Sequence, residues 1–262
     1  MNKKFLLVLA GAWMGLVELS GQGLPPTAGG GAAYTVVMTA AATSQHLFRG
    51  RRLAGVSLQP AVELNSGNWG LGCWNSIPLQ KVSGSPDPEI DLYGFYNFDL
   101  KPGLSLVPGF TGYVFSDAAT GAGFHRSAFE PSLALNYTVR GVRFTPKVYY
   151  DVVSRGPTYE LTAAYALPLA GWGTELDFTA SAGTYYLRDV VNRGSPATKA
   201  WGDYWLAGVA MPFQITRIAK ITVGFAYTEG RNGFSKQGAF PQVPRSLVAG
   251  RGAWTIDYSL SF

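Results

Sequence analysis

The sequence predicts an all-β fold, a transmembrane antiparallel up-and-down β-barrel of about twelve strands, within a range of 10–14. Three observations predict it. Apolar and polar residues alternate along most of the chain, short turns alternate with long connections, and the composition is unusual. Charged residues make up 14% and aromatic residues 14% of the chain, whereas about a quarter of the residues of a typical soluble domain are charged.

The N-terminal residues have the layout of a secretory signal. Lys3 and Lys4 form a basic start, and an apolar stretch runs from Phe5 to Val17 before small and polar residues take over. This stretch is too short to cross a bilayer well. We interpret 1–22 as a cleaved signal peptide, 23–32 as a flexible linker and 33–262 as the barrel. An uncleaved N-terminal anchor is the alternative.

Alternation with a period of two defines the strands. In the final segment, Trp254, Ile256 and Tyr258 alternate with small or polar residues, and successive side chains of a strand point to opposite faces. The same pattern predicts twelve strands, at 33–43, 55–65, 68–77, 88–100, 103–116, 125–139, 141–154, 157–168, 172–187, 201–214, 217–228 and 252–262.

The connections between these strands are of two kinds. Tight turns follow the second, fourth, sixth, eighth and tenth strands, and longer loops follow most of the others; the short loop after the seventh strand is the exception. Short turns on one side, long loops on the other and an even strand count are the plan of a transmembrane β-barrel. Both termini then lie on the short-turn, periplasmic side.

The charged strand residues fall mostly on the polar face, which we assign to the lumen. On the lipid face a Lys or Arg at the bilayer midplane would cost about 2–4 kcal/mol. The candidate lumen and rim residues are Arg49, Glu63, Trp74, Glu89, Asp91, Glu130, Lys147, Asp151, Glu175 and Asp177. A soluble β-sandwich or lipocalin-like barrel would also alternate, but the apolar face extends across nearly every predicted strand.

Aromatic residues lie near the predicted strand ends, where interfacial girdles form in transmembrane barrels. The predicted girdle residues are Trp69, Tyr93, Tyr113, Trp172, Tyr185, Trp201, Trp205 and Trp254.

The third predicted strand carries the only cysteine. Its parity places Trp69, Leu71 and Cys73 on the lipid face and Trp74 in the lumen. A thiol facing lipid acts as a small apolar group, whereas Trp74 would narrow the lumen.

Few residues point to catalysis. The two histidines, His46 and His125, lie in or beside predicted long loops, with Ser44 and Ser127 two residues away, so a nucleophile and base could share a face. We expect no catalytic residue, no metal site and no cofactor, because two His and one Cys at unrelated positions do not form a ligand motif. One cysteine excludes an internal disulfide. The net charge of +5 comes without a Lys/Arg stripe, so we expect no nucleic-acid partner.

A basic cluster, Arg49, Arg51 and Arg52, lies in the first long loop. Ordinary solvated charge explains most of the long-loop basic residues. For Arg49, which stands between Phe48 and Gly50, we expect a fixed position at the rim, an ion pair with Glu89 or Asp91, and contact with lipid phosphates or an anion-attracting mouth.

The C-terminal strand ends on Phe262, with Tyr258 and Leu260 in register. It resembles the terminal strand of bacterial outer-membrane proteins. That resemblance implies recognition of Tyr258, Leu260 and Phe262 by the barrel-assembly machinery.

Three stretches, "TSQHLFRG" (43–50), "GCWNS" (72–76) and "EIDLYGFYNF" (89–98), resemble the TorF-type porin family, the GCW-type conserved hypothetical outer-membrane proteins. The matching residues are Ser44, Phe48, Arg49, Gly50, Gly72, Trp74, Ser76, Glu89, Asp91, Tyr93 and Gly94. His46 departs from the pattern, since an aromatic residue is expected there. The resemblance covers 34–100 and implies location and barrel form more than substrate.

We therefore expect a porin-like channel in the outer membrane of a Gram-negative-type envelope, which passes small polar solutes or ions by passive diffusion. Its expected partners are outer-membrane lipids, the assembly machinery and these solutes. One alternative is a non-conducting structural or adhesive barrel that acts through its long loops. A lipid-modifying enzyme that uses His46 or His125 is a further alternative.

Overall fold

The computed structural model describes 34–82, 87–118, 125–188, 199–232 and 250–262. The predicted signal peptide and linker lie outside these residues. Within them the chain forms fifteen strands: β1 Tyr34–Thr43, β2 His46–Phe48, β3 Arg51–Ala54, β4 Ser57–Ser66, β5 Trp69–Pro78, β6 Glu89–Tyr96, β7 Phe98–Lys101, β8 Leu104–Phe115, β9 Ser127–Val139, β10 Val142–Asp151, β11 Gly156–Leu169, β12 Thr174–Arg188, β13 Lys199–Gln214, β14 Ala219–Asn232 and β15 Arg251–Ser261. A single 3-10 turn, Ala170–Trp172, accompanies them. No helix in the described ranges is long and apolar enough to cross a membrane.

Twelve of the described strands close into one antiparallel barrel. Their order is β1-β4-β5-β6-β8-β9-β10-β11-β12-β13-β14-β15, and β15 pairs with β1. The short β7 continues β6 and also pairs with β8. At the seam, Val36 and Phe262 exchange two backbone hydrogen bonds, at 3.1 and 3.0 Å. Closure leaves no free sheet edge, which a strand protein needs in lipid, and the predicted fold class is confirmed.

The predicted strands correspond one to one with the twelve barrel strands, and the ends differ by a few residues. Residues 44–56, which we expected to be a loop and its strand boundary, contain the additional strands β2 and β3. These strands have three and four residues, too few to show a period of two.

The two faces of the barrel differ sharply in polarity. Large apolar side chains are exposed on the outside, as with Leu92 at 54% and Ile256 at 52%. Their strand neighbours on the inward face are polar and buried, as with Glu63 and Asp257. This is the reverse of a soluble protein, so the soluble alternatives are excluded and the barrel is of the transmembrane kind.

Five predicted girdle tryptophans are exposed on the described barrel: Trp69, Trp172, Trp201, Trp205 and Trp254. The same prediction is wrong for Tyr93, Tyr113 and Tyr185, which are buried in the lumen with no more than 4% exposed. A position near a strand end does not determine which face of the sheet a side chain lies on. The alternation along the strand determines it, and it places each of these tyrosines on the inward face.

Candidate functional site

The connection between β1 and β4 folds into the barrel instead of covering its mouth. Strands β2 and β3 pair as an antiparallel hairpin, and its turn is made by Arg49 and Gly50, with φ angles of 45° and 73°. We call residues 46–54 the luminal hairpin. Leu47 and Ala54 are fully buried and His46 is 1% exposed. Connections normally run over a protein surface, so a connection buried inside the barrel is unusual.

The tip of the hairpin is fixed by an ion pair. The two terminal guanidinium nitrogens of Arg49 each donate to one carboxylate oxygen of Glu130 on β9, both at 2.8 Å. The hydroxyl of Tyr113 on β8 donates to Glu130 Oε2 at 2.9 Å. The guanidinium carbon also lies 4.8 Å from the ring centroids of Phe48 and Tyr149. We call Arg49, Tyr113, Glu130 and Tyr149 the tip site.

The bidentate geometry makes the tip site strong. Paired N–H donors match the two carboxylate oxygens and hold the guanidinium plane in one orientation. Stacking on aromatic rings adds a cation–π contribution. Burial and the Glu130 charge act oppositely on the pKa of Arg49; Glu130 prevails and raises that pKa well above its ordinary value. Arg49 therefore carries its charge at any relevant pH.

The same tip touches the opposite part of the wall. A Cβ added to Gly50 would overlap the backbone of Gly230 on β14 and lie 2.9 Å from Cβ of Tyr204 on β13. The guanidinium carbon of Arg51 lies 5.6 Å from the ring centroid of Tyr185 on β12. Contacts with β9 on one side and β12 to β14 on the other show that the hairpin crosses the lumen.

Inward tyrosines surround the tip and link it to a second carboxylate. Glu160 on β11 accepts a hydrogen bond from Tyr149 at 3.2 Å and another from Tyr204. The Lys147 ammonium lies 4.5 Å from the Tyr149 ring centroid. All of these groups lie toward the long-loop ends of their strands, so the hairpin narrows that half of the lumen.

The base of the hairpin makes a different set of contacts. His46 Nδ1 lies 3.2 Å from both carboxylate oxygens of Asp87, and the Ser76 hydroxyl donates to Asp87 Oδ2 at 2.9 Å. His46 Nε2 lies 3.9 Å from Glu89 Oε2. We call His46, Ser76, Asp87 and Glu89 the base cluster.

The base cluster attracts positive charge. Burial alone would lower the pKa of His46, but the hydrogen bond to Asp87 and the charges of Glu89 and Asp87 raise it above its ordinary value. The ring of Trp74 lies 5.3 Å from that of His46, centroid to centroid. Trp74 therefore points into the lumen and packs on the base cluster.

The structure corrects the expected position of Arg49. It lies at the tip of a buried hairpin instead of at the rim, and it pairs with Glu130 instead of Glu89 or Asp91. The inward fold of the hairpin carries Arg49 past β6 to β9, which explains the change of partner.

The other predicted lumen residues have different surroundings. Glu63 is buried and accepts hydrogen bonds from Asn65 at 2.7 Å and Tyr93 at 2.8 Å. The inward face also carries Glu89, Asp91, Glu130, Lys147 and Asp177. Asp151 ends β10, where its carboxylate accepts the backbone N–H groups of Val153 and Ser154, so it caps a turn. Glu175 is half-buried near the short-turn end of β12.

The C-terminal residues and the histidines complete the comparison with the sequence predictions. Tyr258 and Phe262 are exposed, Leu260 is half-buried, and recognition of these residues by the assembly machinery stays a prediction. The Ser44 hydroxyl accepts the backbone N–H of Trp254 at 2.9 Å, whereas His46 contacts Asp87. Ser44 and His46 thus make hydrogen bonds to different partners.

The predicted candidate residues left out several residues of the site, among them Tyr149, Glu160, Tyr204 and Gly230. Alternation places Tyr149 and Glu160 on the polar, inward face, since each stands between exposed apolar residues of its strand. No sequence signal indicated that they would meet a hairpin.

The described residues thus define a class: a transmembrane β-barrel with an internal hairpin locked to its wall. The chain belongs to the family described as bacterial proteins of unknown function (Gcw_chp), whose model matches residues 27–231. No curated protein matches the sequence significantly.

Solved structures with a similar fold include three porins or channels. The NanC porin has 10% identity and a TM-score of 0.49, with 87% of this chain and 99% of that chain covered. The KdgM porin in complex with disordered oligogalacturonate has 11% identity and a TM-score of 0.48, with the coverage 87% and 99%. An outer-membrane channel from Pseudomonas putida F1 has 12% identity and a TM-score of 0.43, with 87% and 94% covered.

Proposed function

We propose that this protein is an outer-membrane channel of the TorF-type porin kind, through which small polar solutes or ions diffuse passively. One observation carries the proposal: the luminal hairpin lies inside a polar barrel and narrows it at one level, anchored by Arg49 and Glu130. The constriction would select permeating solutes by size and charge. The protein is not proposed to be an enzyme.

Barrel size supports this proposal. Eight strands leave an interior that side chains fill, whereas 16–18 strands enclose a wide aqueous channel. A barrel of twelve strands lies between these limits, so its interior has room for the hairpin as well as inward side chains. A fold that places a hairpin inside such a barrel sets the bore of the channel.

The charges along the lumen support passage of polar solutes. Toward the short-turn side, Lys220 and the carboxylates of Asp177 and Asp257 lie on the inward face. Charged groups in a membrane protein belong to water-filled or functional regions because their burial in a dry interior is costly. Both signs are present, so the lumen attracts small polar or ionic solutes over apolar ones.

The outer-membrane location is part of the same proposal. It is supported by the apolar outer face and the closed seam between β1 and β15. Residues 1–22 are proposed as the export signal, and Tyr258, Leu260 and Phe262 as the segment read by the assembly machinery.

Planar-bilayer recording tests the channel. The purified full-length protein should give small, discrete conductance steps, and Arg49→Ala should give larger or noisier steps because the hairpin loses its anchor. The matched control is Arg155→Ala, which removes an exposed arginine from the turn between β10 and β11. It should leave the steps unchanged. A shift in gel position on boiling verifies that each variant is a folded barrel.

A closed, structural barrel is the second candidate, because the hairpin and the tyrosines fill the long-loop half of the lumen. The recordings separate the two. If both wild type and Arg49→Ala remain silent while their gel shifts show folded barrels, the channel proposal is overturned. If only the variant conducts, the hairpin closes the wild-type barrel, and the result supports the closed, structural barrel instead of the channel.

A further inference from the structure

The base cluster lies where the luminal hairpin meets the barrel wall. It draws His46 from β2, Ser76 from β5, and Asp87 and Glu89 from the start of β6. No member is more than 4% exposed. His46, Asp87 and Glu89 each offer one ligand atom, and these atoms lie within 4.8 Å of one another. This arrangement has the dimensions of a cation site.

Hydrogen bonding indicates which ring nitrogen of His46 carries a proton. Asp87 accepts a hydrogen bond from the Ser76 hydroxyl, and both of its carboxylate oxygens lie 3.2 Å from His46 Nδ1. A carboxylate in that position fixes the Nδ1–H tautomer of an imidazole and orients its ring. The lone pair of Nε2 then points away from Asp87, toward Glu89.

Glu89 supplies the second, independent observation. Its Oε2 is buried and has no hydrogen-bond partner among the described residues, and it faces His46 Nε2 at 3.9 Å. That separation is too long for a hydrogen bond. Two ligand atoms of a tetrahedral Zn²⁺ with 2.0–2.2 Å bonds lie about 3.3–3.6 Å apart, so a small movement of either side chain would bring both donors onto one ion.

The local charge points the same way. Asp91 lies two residues after Glu89 on β6 and shares its inward face. Asp91 Oδ1 is also buried without a partner in the described part of the chain. Three carboxyl groups, Asp87, Glu89 and Asp91, thus lie near a single imidazole. A nearby cation would stabilise the charged form of these buried carboxyl groups.

We propose that the base cluster binds a divalent transition-type cation, represented by Zn²⁺, with His46 Nε2 and Glu89 as direct ligands. Asp87 is a positioning residue that holds the His46 ring through Nδ1, and Asp91 adds negative charge beside the ion. One imidazole with carboxylates suits Zn²⁺ and its first-row neighbours better than Ca²⁺, which takes oxygen ligands.

The bound ion would link the base of the luminal hairpin to β6, just as the Arg49–Glu130 ion pair links its tip to β9. Because a ligand that binds only the folded state stabilises it, metal-loaded protein should resist unfolding more than metal-free protein. The site does not depend on conduction, so it holds for an open or a closed barrel.

Isothermal titration of the full-length protein in detergent micelles tests the site. The protein carries no histidine tag, is stripped with EDTA and is titrated with Zn²⁺ near neutral pH. Wild type should bind one equivalent. His46→Ala and Glu89→Gln should weaken binding at least tenfold, and Asp87→Asn should weaken it roughly 10–100-fold, as for other residues that orient a metal-binding histidine.

Two matched controls isolate the base cluster. His125→Ala removes the only other histidine of the chain, and Glu63→Gln alters a buried lumen carboxylate that is already satisfied by Tyr93 and Asn65. Both should bind Zn²⁺ as wild type does. Co²⁺ then serves as a visible-absorption probe, whose ligand-field bands should appear in wild type and vanish in His46→Ala.

Two results would contradict the proposed cation site. Wild type that binds no Zn²⁺, or variants His46→Ala and Glu89→Gln that bind as tightly as wild type, would overturn the proposal. A gel shift on boiling verifies folding of each variant. Glu89→Gln keeps the shape of the side chain, so it decides the matter if His46→Ala fails to fold.

Discussion

The two ends of the luminal hairpin are held to the wall by opposite means. At the tip, the single charge of Arg49 meets the single charge of Glu130 in a bidentate pair, and tyrosines surround both. At the base, His46 meets Asp87 and Glu89, and one oxygen of Glu89 has no hydrogen-bond partner among the described residues. The charges of the tip balance within the chain, although Arg49 Nε has no hydrogen-bond partner among the described residues, whereas the base has the composition of a site that takes a cation from outside.

Breaking the tip should have the largest effect. Arg49→Ala removes the paired guanidinium from Glu130 and leaves the Tyr113 hydroxyl as a hydrogen-bond donor, and removal of one partner of a buried ion pair costs roughly 3–5 kcal/mol. The lower end applies here, because the truncated side chain lets lumen water reach Glu130. Urea unfolding in detergent should show the loss as a lower midpoint.

A second variant separates the charge from the packing. In Arg49→Ala/Glu130→Gln no charge remains unpaired, so the double variant should recover part of the stability that Arg49→Ala loses. A single variant that unfolds at the wild-type midpoint would show that the tip does not hold the hairpin.

A steric clash that displaces the tip should have the next largest effect on stability. Gly50 has a φ of 73°, and a Cβ there would overlap the backbone of Gly230. Gly50→Ala should therefore destabilise the protein by about 1–3 kcal/mol, from strained backbone and overpacking together. The substitution should also displace the hairpin, and bilayer recording should detect the displacement as a changed conductance.

Gly67→Ala is the matched control for this change. Gly67 has a φ of 57°, but nothing lies within 4 Å of an added Cβ. It therefore carries the backbone strain alone, about 1 kcal/mol, without a change in conductance. Equal effects of the two substitutions on conductance would argue against the contact between Gly50 and Gly230.

These contacts show how far sequence reasoning reaches. The barrel strands were predictable because lipid and lumen impose opposite polarities on successive residues, which leaves a period of two over ten or more positions. The hairpin was not, since strands of three and four residues carry no such pattern. The Arg49–Glu130 ion pair joins positions 81 residues apart. Alternation predicts which face of the sheet each residue lies on, but it does not predict which residue it will contact.

The base cluster escaped prediction for a related reason. Glu89 was assigned to the lumen from its strand, but His46 was assigned to a loop, and Asp87 precedes β6 and has no parity. Counting His and Cys alone predicts no metal site, because a site that relies on carboxylates from strand ends has no fixed spacing.

Removing one hydrogen bond at the tip should have a smaller effect on stability. Tyr113→Phe removes the O–H that donates to Glu130 and leaves the ring in place, and a hydrogen bond to a charged group contributes about 1.5–3 kcal/mol. The Arg49 pair still satisfies Glu130, so we expect the low end of this range in urea unfolding. Tyr150→Phe is the control, because that side chain points outward and is 45% exposed; its midpoint should stay at the wild-type value.

The smallest effect should come from the residue next to Trp74. Cys73 shares the outward face of β5 with Leu71, and the Asn75 amide donates to its sulfur at 3.7 Å. Cys73→Ala should alter stability by no more than about 0.5 kcal/mol. Zn²⁺ binding and conductance should also be unchanged, because the thiol lies on the opposite side of the strand from the base cluster. Loss of Zn²⁺ binding in Cys73→Ala would mean that the thiol turns inward, and the assignment of faces along β5, Trp74 included, would then be wrong.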